Sequence, residues 1–110
     1  MAAGAADRMM ARTGLESREL ELIRAVLSRH PEVTGALTFG SRARGASSPS
    51  SDVDLALEGI DDPLRAEAIA RELDELPLPY RFDVKALLSI RREALREHIA
   101  RVGVRIHGMT

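Results

Sequence analysis

Apolar residues recur at helical spacing in the first third of the chain, and this pattern predicts an amphipathic helix. Its inner face would carry Leu20, Ile23 and Leu27. We expect the helix to begin at a capping box formed by Thr13 and Glu16, and to end at about residue 30, before Pro31. The apolar run 33–39 follows, and it is typical of a short buried strand.

The rest of the chain alternates between strand and helix patterns. The predicted elements are a strand over 52–57, a helix starting at Asp62-Pro63, a strand over 80–87, a helix capped by Ser89 and running to about Val102, and a strand over 104–107. This order predicts an α/β fold, with a small mixed β-sheet covered by helices on one face. We expect a flexible N-terminal tail over 1–12 and a single domain over 13–110.

Composition narrows the function classes. The 16 basic and 17 acidic residues nearly balance, and only three residues are aromatic, so direct nucleic-acid binding is not expected. No apolar run is long enough to span a membrane. The chain has no cysteine, which excludes disulfides and fits a cytoplasmic protein. The three histidines lie far apart in sequence and do not suggest a zinc site.

Two aspartates in the second predicted strand are the first candidates for chemistry. Asp52 and Asp54 are one strand step apart, so their side chains point to the same side. Paired carboxylates repel each other unless a cation neutralises them, and hard oxygen ligands suit Mg²⁺. The alternative is a solvated strand end at which both carboxylates face water.

Two further features could belong to the same site. Gly40 and Ser41 stand where a strand should give way to a helical turn, and such a turn offers free N–H groups to an anion. They could equally form an ordinary strand-to-helix turn. Asp83 shares the outer face of the third strand with Arg81 and Lys85, so it is either a third metal-binding carboxylate or a member of a surface ion pair.

The combination of these motifs is more specific than its parts. The segments Gly40–Gly45 (GSRARG), Ser51–Leu55 (SDVDL) and Phe82–Val84 (FDV) resemble the minimal nucleotidyltransferase (MNT-domain) branch of the DNA polymerase beta-like nucleotidyltransferase superfamily. The segment Leu95–Val104 also resembles the C-terminal end of that branch. The resemblance extends over about residues 15–108, which is most of the chain.

The resemblance implies a metal-dependent site. Asp52 and Asp54 would hold Mg²⁺, with Mn²⁺ as the alternative ion, between the protein and the phosphates of an NTP, with ATP the expected substrate. Asp83 would complete the metal site on the acceptor side and help to take the acceptor's proton.

The resemblance also implies a set of phosphate-binding residues. Gly40 and Ser41 would hold the β- and γ-phosphates, while Arg42 and Arg44 would neutralise developing negative charge. Each arginine could instead be a solvated turn residue. Lys85 is a further candidate of the same kind.

The length of the chain bears on the acceptor, because the motifs and core elements use nearly all 110 residues. We therefore expect acceptor recognition to come from a partner chain or from the acceptor itself, in a hetero-oligomer. The resemblance implies an antitoxin that adenylylates a tyrosine of a HEPN-domain ribonuclease toxin encoded by the adjacent gene. Two alternatives stay open: a non-catalytic antitoxin that silences its partner by contact, and nucleotide transfer to a small molecule.

Overall fold

The computed structural model describes residues 13–39 and 52–108. Its helices and strands are α1 (Ser17–Ser28), β1 (Gly35–Phe39), β2 (Val53–Glu58), α2 (Pro63–Asp74), β3 (Phe82–Ala86), a 3₁₀ turn (Leu87–Ser89), α3 (Glu93–Val102) and β4 (Val104–Gly108). The expected order of helices and strands is confirmed within these residues. The predicted N-terminal tail over 1–12 lies outside the described residues, as does the helical turn predicted to follow Gly40 and Ser41.

The strands form one four-stranded mixed sheet in the order β3-β2-β1-β4. Strand β1 is antiparallel to both of its neighbours, β2 and β4. Strand β3 is parallel to β2, because the chain crosses over through α2 between them. The prediction of a small mixed α/β sheet is therefore confirmed.

One face of the sheet is closed by α1 and α2. Alternate residues of β2 and β3 point to this face, including Val53, Leu55 and Val84. Leu20, Ile23 and Leu27 of α1 meet them, as the helical spacing predicted, and together with Ile69 and Leu73 of α2 they belong to the main core. Burial of these apolar side chains is the main source of folding free energy.

The other face carries the third helix. Ile99 of α3 is 1% exposed and packs with Phe39 and Ala56 in a separate, smaller cluster. The expectation that the helices cover one face thus holds for α1 and α2 but not for α3. The apolar stripe of α3 shows which side of the helix is buried, but it contains no information on which face of the sheet receives it.

Two helix starts differ from the predicted ones. The capping box of α1 is formed by Glu16 and Glu19, and the Thr13 hydroxyl instead accepts a hydrogen bond from the Leu15 N–H. The sequence contains both spacings, and tertiary packing selects the second. Ser89 does not cap α3, which begins at Glu93, because its hydroxyl donates to the Ala86 carbonyl within the 3₁₀ turn.

An ion pair crosses the central strand at the end of the sheet distant from Asp54. Glu58 of β2 and Arg105 of β4 form a bidentate pair, although β1 lies between their strands. The pair passes over Gly35 of β1, where a Cβ atom would collide with both charged groups. The absence of a side chain at residue 35 therefore makes room for the ion pair.

Candidate functional site

The register of the parallel strands brings two of the predicted site residues together. Asp54 of β2 is the direct partner of Asp83 of β3. Their neighbours Val53 and Phe82 are buried on the closed face, so alternation places both carboxylates on the opposite face. Two residues 29 positions apart in sequence thus become adjacent because of one strand pairing.

Contacts at the start of β3 hold Asp83 in this register. The Phe82 N–H donates to the Asp74 carboxylate at the end of α2, and the Val53 N–H donates to the Arg81 carbonyl. The preceding residue, Tyr80, donates its hydroxyl proton to the carboxylate of Glu19, which is 6% exposed. Residues 80–82 thus form hydrogen bonds with α1, α2 and β2, and these contacts fix the position of Asp83 relative to the core.

The electrostatics of the site centre on Asp54. Its side chain is half-buried, whereas Asp52 and Asp83 are exposed. Burial raises the pKa of Asp54 above its ordinary value, and the negative charges of Asp83 and then Asp52 raise it further. Lys85 acts in the opposite direction but does not reverse the shift. Within the described residues, the ionised carboxylate cluster therefore keeps a net negative charge, which a bound cation would relieve.

The proposed surface ion pair of Asp83 exists in a weak form. Lys85 Nζ lies 3.9 Å from the Asp83 carboxylate, and both side chains are substantially exposed. Solvent screening makes such a pair worth little. Because Lys85 only partly offsets the charge on Asp54, the ion pair and a cation-binding role for Asp83 are compatible.

The chemistry of these donors fits Mg²⁺. Within residues 13–39 and 52–108, no group of three or more acidic or histidine side chains is arranged to hold a metal ion. An open set suits Mg²⁺, which typically takes one or two protein carboxylates and completes its shell with water and substrate phosphate oxygens. Asp54 and its strand partner Asp83 are two carboxylates of the kind that such an ion takes.

The predicted phosphate-binding residues are Gly40, Ser41, Arg42 and Arg44, and all four lie outside the described residues. The last described residue before them is Phe39, which pairs directly with Asp54 across β1 and β2. The chain therefore leaves β1 directly beside the carboxylate pair.

The three histidines belong to separate parts of the fold. His30 follows α1 and contacts Glu72 of α2 at 2.9 Å, while His98 lies on α3. His107 lies on β4, where burial and then the charge of Arg24 lower its pKa. None of them lies on the strands that carry the three aspartates.

A cleft of about 500 Å³ adjoins Asp83. It runs along the outer edge of β3, between the start of α2 and the start of α3. Its charged lining residues are Glu67, Asp83, Lys85, Arg91 and Arg92. The sequence does not predict this cleft, since its only local signal there is a pair of adjacent arginines before a helix.

Clustered carboxylates can hold the metal ions that assist displacement reactions at phosphorus. The family model described as polymerase beta, nucleotidyltransferase, matches residues 21–109. The chain therefore belongs to the polymerase beta nucleotidyltransferase family. A comparison with curated protein sequences found no significant match. No helix within the described residues is long and apolar enough to cross a membrane.

The fold is also similar to solved structures of toxin–antitoxin complexes. A complex with AMP-PNP gives a TM-score of 0.68 at 23% identity, covering 84% of this chain and 74% of that chain. The complex MntA-HepT gives a TM-score of 0.65 at 21% identity, with coverage of 86% and 74%. A tri-AMPylated Shewanella oneidensis HEPN toxin in complex with MNT antitoxin gives a TM-score of 0.61 at 22% identity, with coverage of 83% and 70%. At these identities the similarity establishes the shared fold.

Proposed function

We propose that the protein is a Mg²⁺-dependent adenylyltransferase that transfers AMP from ATP to a partner protein. The observation that carries this proposal is the pairing of Asp54 with Asp83, which clusters carboxylates on the sheet face opposite α1 and α2. We call this the open face, and α3 covers part of it. A pure binding module has no need of a cluster that raises the pKa of Asp54. Membership of the polymerase beta nucleotidyltransferase family supports the reaction class.

We further propose that the partner is a HEPN-type toxin and that this chain is its antitoxin in the cytoplasm. The similar structures include an AMPylated HEPN toxin bound to an MNT antitoxin, and this supports a protein acceptor and adenylate as the group transferred. A complex of similar fold with AMP-PNP supports an adenine nucleotide as the donor. The functional unit would then be a hetero-oligomer of the two proteins.

In the proposed reaction, an acceptor hydroxyl oxygen forms a bond to the α-phosphorus of ATP. The bond from that phosphorus to the bridging oxygen breaks, and pyrophosphate leaves. Asp52, Asp54 and Asp83 would hold Mg²⁺, which when bound neutralises phosphate charge and orients the reacting oxygens. Asp83 lies at the acceptor side, where its carboxylate would accept the hydroxyl proton.

The remaining residues of the proposed site would act on the phosphates. Gly40 and Ser41 would bind the β- and γ-phosphates of ATP, and Arg42 and Arg44 would offset the charge of the leaving pyrophosphate. Holding donor and acceptor in line accounts for most of what a protein contributes to this class of reaction.

The test is incubation of the purified protein with the HEPN-domain protein encoded beside it, Mg²⁺ and ATP labelled at the α-phosphate. We expect label on the partner and a mass increase of one or more adenylates. Asp54→Asn should reduce the rate at least about a hundredfold, the scale on which removal of one transition-state contact acts. Asp61→Asn is the matched control, since it makes the same change at an exposed aspartate beyond the opposite end of β2.

Two results would contradict the proposal. Labelling that proceeds equally with Asp54→Asn would remove the carboxylate cluster from the mechanism. A partner that is neutralised in cells by the unmodified protein but never gains mass would indicate inhibition by contact instead.

A further inference from the structure

The cleft beside Asp83 follows the free edge of the sheet. Strand β3 is the outermost strand, and its residues from Asp83 to Ala86 form one wall. Pro63 and Ala66 of α2 contribute a second wall, and Ile90 and Leu95 beside or within α3 contribute a third. The cleft is therefore a groove beside an edge strand, and a groove of this kind suits an extended chain.

Three positive and two negative side chains line the groove. Lys85, Arg91 and Arg92 face the acidic residues Glu67 and Asp83. Lys85 is engaged with Asp83, but neither arginine forms an ion pair within residues 13–39 and 52–108. Both arginines are exposed, so they can pair with carboxylates of an incoming ligand.

Apolar surface borders the same groove. Leu64 is 71% exposed and Leu88 is 58% exposed, and they are the large exposed hydrophobic side chains of the described part of the chain. Leu64 directly follows Pro63, and Leu88 directly precedes Ser89, and both of those neighbours line the groove. Neither leucine lines the groove itself, but a partner that extends beyond the groove would cover both.

The backbone of β3 offers hydrogen bonds towards the groove. The Phe82 N–H and the Ala86 carbonyl point away from β2, since they bond to Asp74 and Ser89 respectively. In a strand, every second residue directs its N–H and carbonyl to the same side. Val84 lies midway between Phe82 and Ala86, so both of its backbone groups point to the free edge of β3. No hydrogen bond from the described residues reaches these two groups on that edge.

We propose that this groove binds the acceptor as an extended, acidic segment of the partner protein. The segment lies beside β3, bonds to the Val84 backbone, places carboxylates against Arg91 and Arg92, and presents its hydroxyl at Asp83. The inference rests on the proposed function and specifies which part of the protein selects the acceptor.

The geometry of nucleotidyl transfer favours the acceptor over the nucleotide as occupant. The attacking and leaving oxygens lie on opposite sides of the phosphorus in an in-line displacement. The pyrophosphate is proposed to bind at Gly40 and Ser41, which continue from β1. The groove lies beyond β3, on the other side of Asp54, so it is the side from which the attacking hydroxyl approaches.

The test measures adenylylation of the HEPN-domain partner at varied partner and ATP concentrations. Combined Arg91→Glu and Arg92→Glu should raise the KM for the partner about tenfold and leave the KM for ATP and kcat within about twofold. The partner's KM with the unmodified enzyme should rise with NaCl, because salt screens the attraction between the two arginines and the partner's carboxylates. With the double variant it should not rise, because salt there screens a repulsion.

A second variant and a matched control separate charge from folding. Leu64→Ser with Leu88→Ser changes no charge at exposed positions, and it should also raise the partner's KM with little change in melting temperature. Arg18→Glu with Arg101→Glu reverses two exposed arginines that do not line the groove, and it should leave both KM values unchanged.

The outcomes distinguish this inference from the function on which it rests. If the unmodified protein does not adenylylate the partner, the proposed function fails. If it does, and the Arg91/Arg92 variant retains the normal KM for the partner, the groove is not the acceptor site. A rise in the KM for ATP alone would assign the arginines to the nucleotide and overturn the inference.

Discussion

The two faces of the sheet differ in how their side chains are satisfied. The face under α1 and α2 is a continuous apolar core that includes Leu55 and Leu57 of β2. The opposite face of the same strand carries Asp54, Ala56 and Glu58, of which only Ala56 is fully buried. The two faces of this one strand thus differ: the side chains of one face stabilise the fold by packing, and the carboxylates of the other destabilise it by repulsion.

This difference shows how a chain of 110 residues can hold a repelling cluster. The apolar core of the closed face supplies most of the folding free energy. The repulsion between Asp54 and Asp83 on the open face offsets a small part of it. Functional carboxylates commonly reduce stability in this way. Removing a carboxylate from this cluster should consequently change the stability in the opposite direction from removing a buried apolar side chain.

The largest effect is expected on the closed face. Leu55→Ala should lower the free energy of unfolding by about 2–5 kcal/mol, because Leu55 has no exposed surface and its loss leaves a cavity. Urea denaturation followed by circular dichroism measures this change. Leu64→Ala, the same substitution at a 71% exposed residue, serves as the control and should change the stability by less than about 0.5 kcal/mol. Equal losses in the two variants would contradict the assignment of the core.

A smaller effect is expected where α3 packs on the open face. Ile99→Ala should cost about 2 kcal/mol, near the lower limit for such a change, since Ile99 belongs to the smaller cluster. Amide hydrogen exchange should show faster exchange in α3 than in α1, because loss of this contact frees α3 locally. A uniform increase in exchange across both helices would show that α3 unfolds only with the whole domain.

The sign of the effect should reverse at Asp54. Its raised pKa means that the folded state binds the proton more tightly than the unfolded state does, so ionisation at neutral pH destabilises the fold. Without metal, Asp54→Asn should therefore leave the stability equal or increase it by less than about 1 kcal/mol, because solvent screens a half-buried carboxylate.

The pH dependence of this difference provides the check. Any advantage of Asp54→Asn over the unmodified protein should be absent below the ordinary aspartate pKa of 3.8, develop as the pH rises through the raised pKa, and remain constant above it. Thermal melts from pH 4 to 7 in EDTA measure the difference. A marked loss of stability in the variant at pH 7 would instead identify Asp54 as a structural residue.

The smallest effect is expected at the exposed ion pair of the open face. Lys85→Ala should change the stability by less than about 0.5 kcal/mol, since Lys85 and Asp83 are 3.9 Å apart and exposed. The same thermal melts in EDTA that are used for Asp54→Asn measure this change. A loss above about 1 kcal/mol would mean that Lys85 offsets the carboxylate cluster more strongly than its distance indicates.

Local patterns were sufficient to predict most elements and the identity of the clustered carboxylates. Alternation along a strand is a local property, so it placed Asp52 and Asp54 on one side. The pairing of Asp54 with Asp83 is not local, because it depends on the crossover through α2 and on contacts such as Phe82 with Asp74. The sequence could therefore suggest Asp83 as a third member of the site but could not derive its position.

The features that the sequence analysis missed have the same origin. The placement of α3 on the opposite face depends on which surface remains after α1 and α2 have packed. The groove beside β3 exists because three separate elements surround a free edge, and no single segment encodes it. The helix cap at Glu16 and Glu19 was missed for a different reason: two overlapping capping motifs compete, and propensity alone does not choose between them.

The ion pair over Gly35 has a consequence for how this chain can change by mutation. Any larger residue at position 35 would displace the charged groups of Glu58 and Arg105, which are side-chain ends and can move. The three positions are consequently epistatic: Gly35→Ala should break the ion pair at a modest cost, because both side-chain ends can swing aside, and it should be nearly neutral once Glu58 and Arg105 have been replaced by uncharged residues. We expect the order of substitution to matter, with the charges lost first and the glycine afterwards.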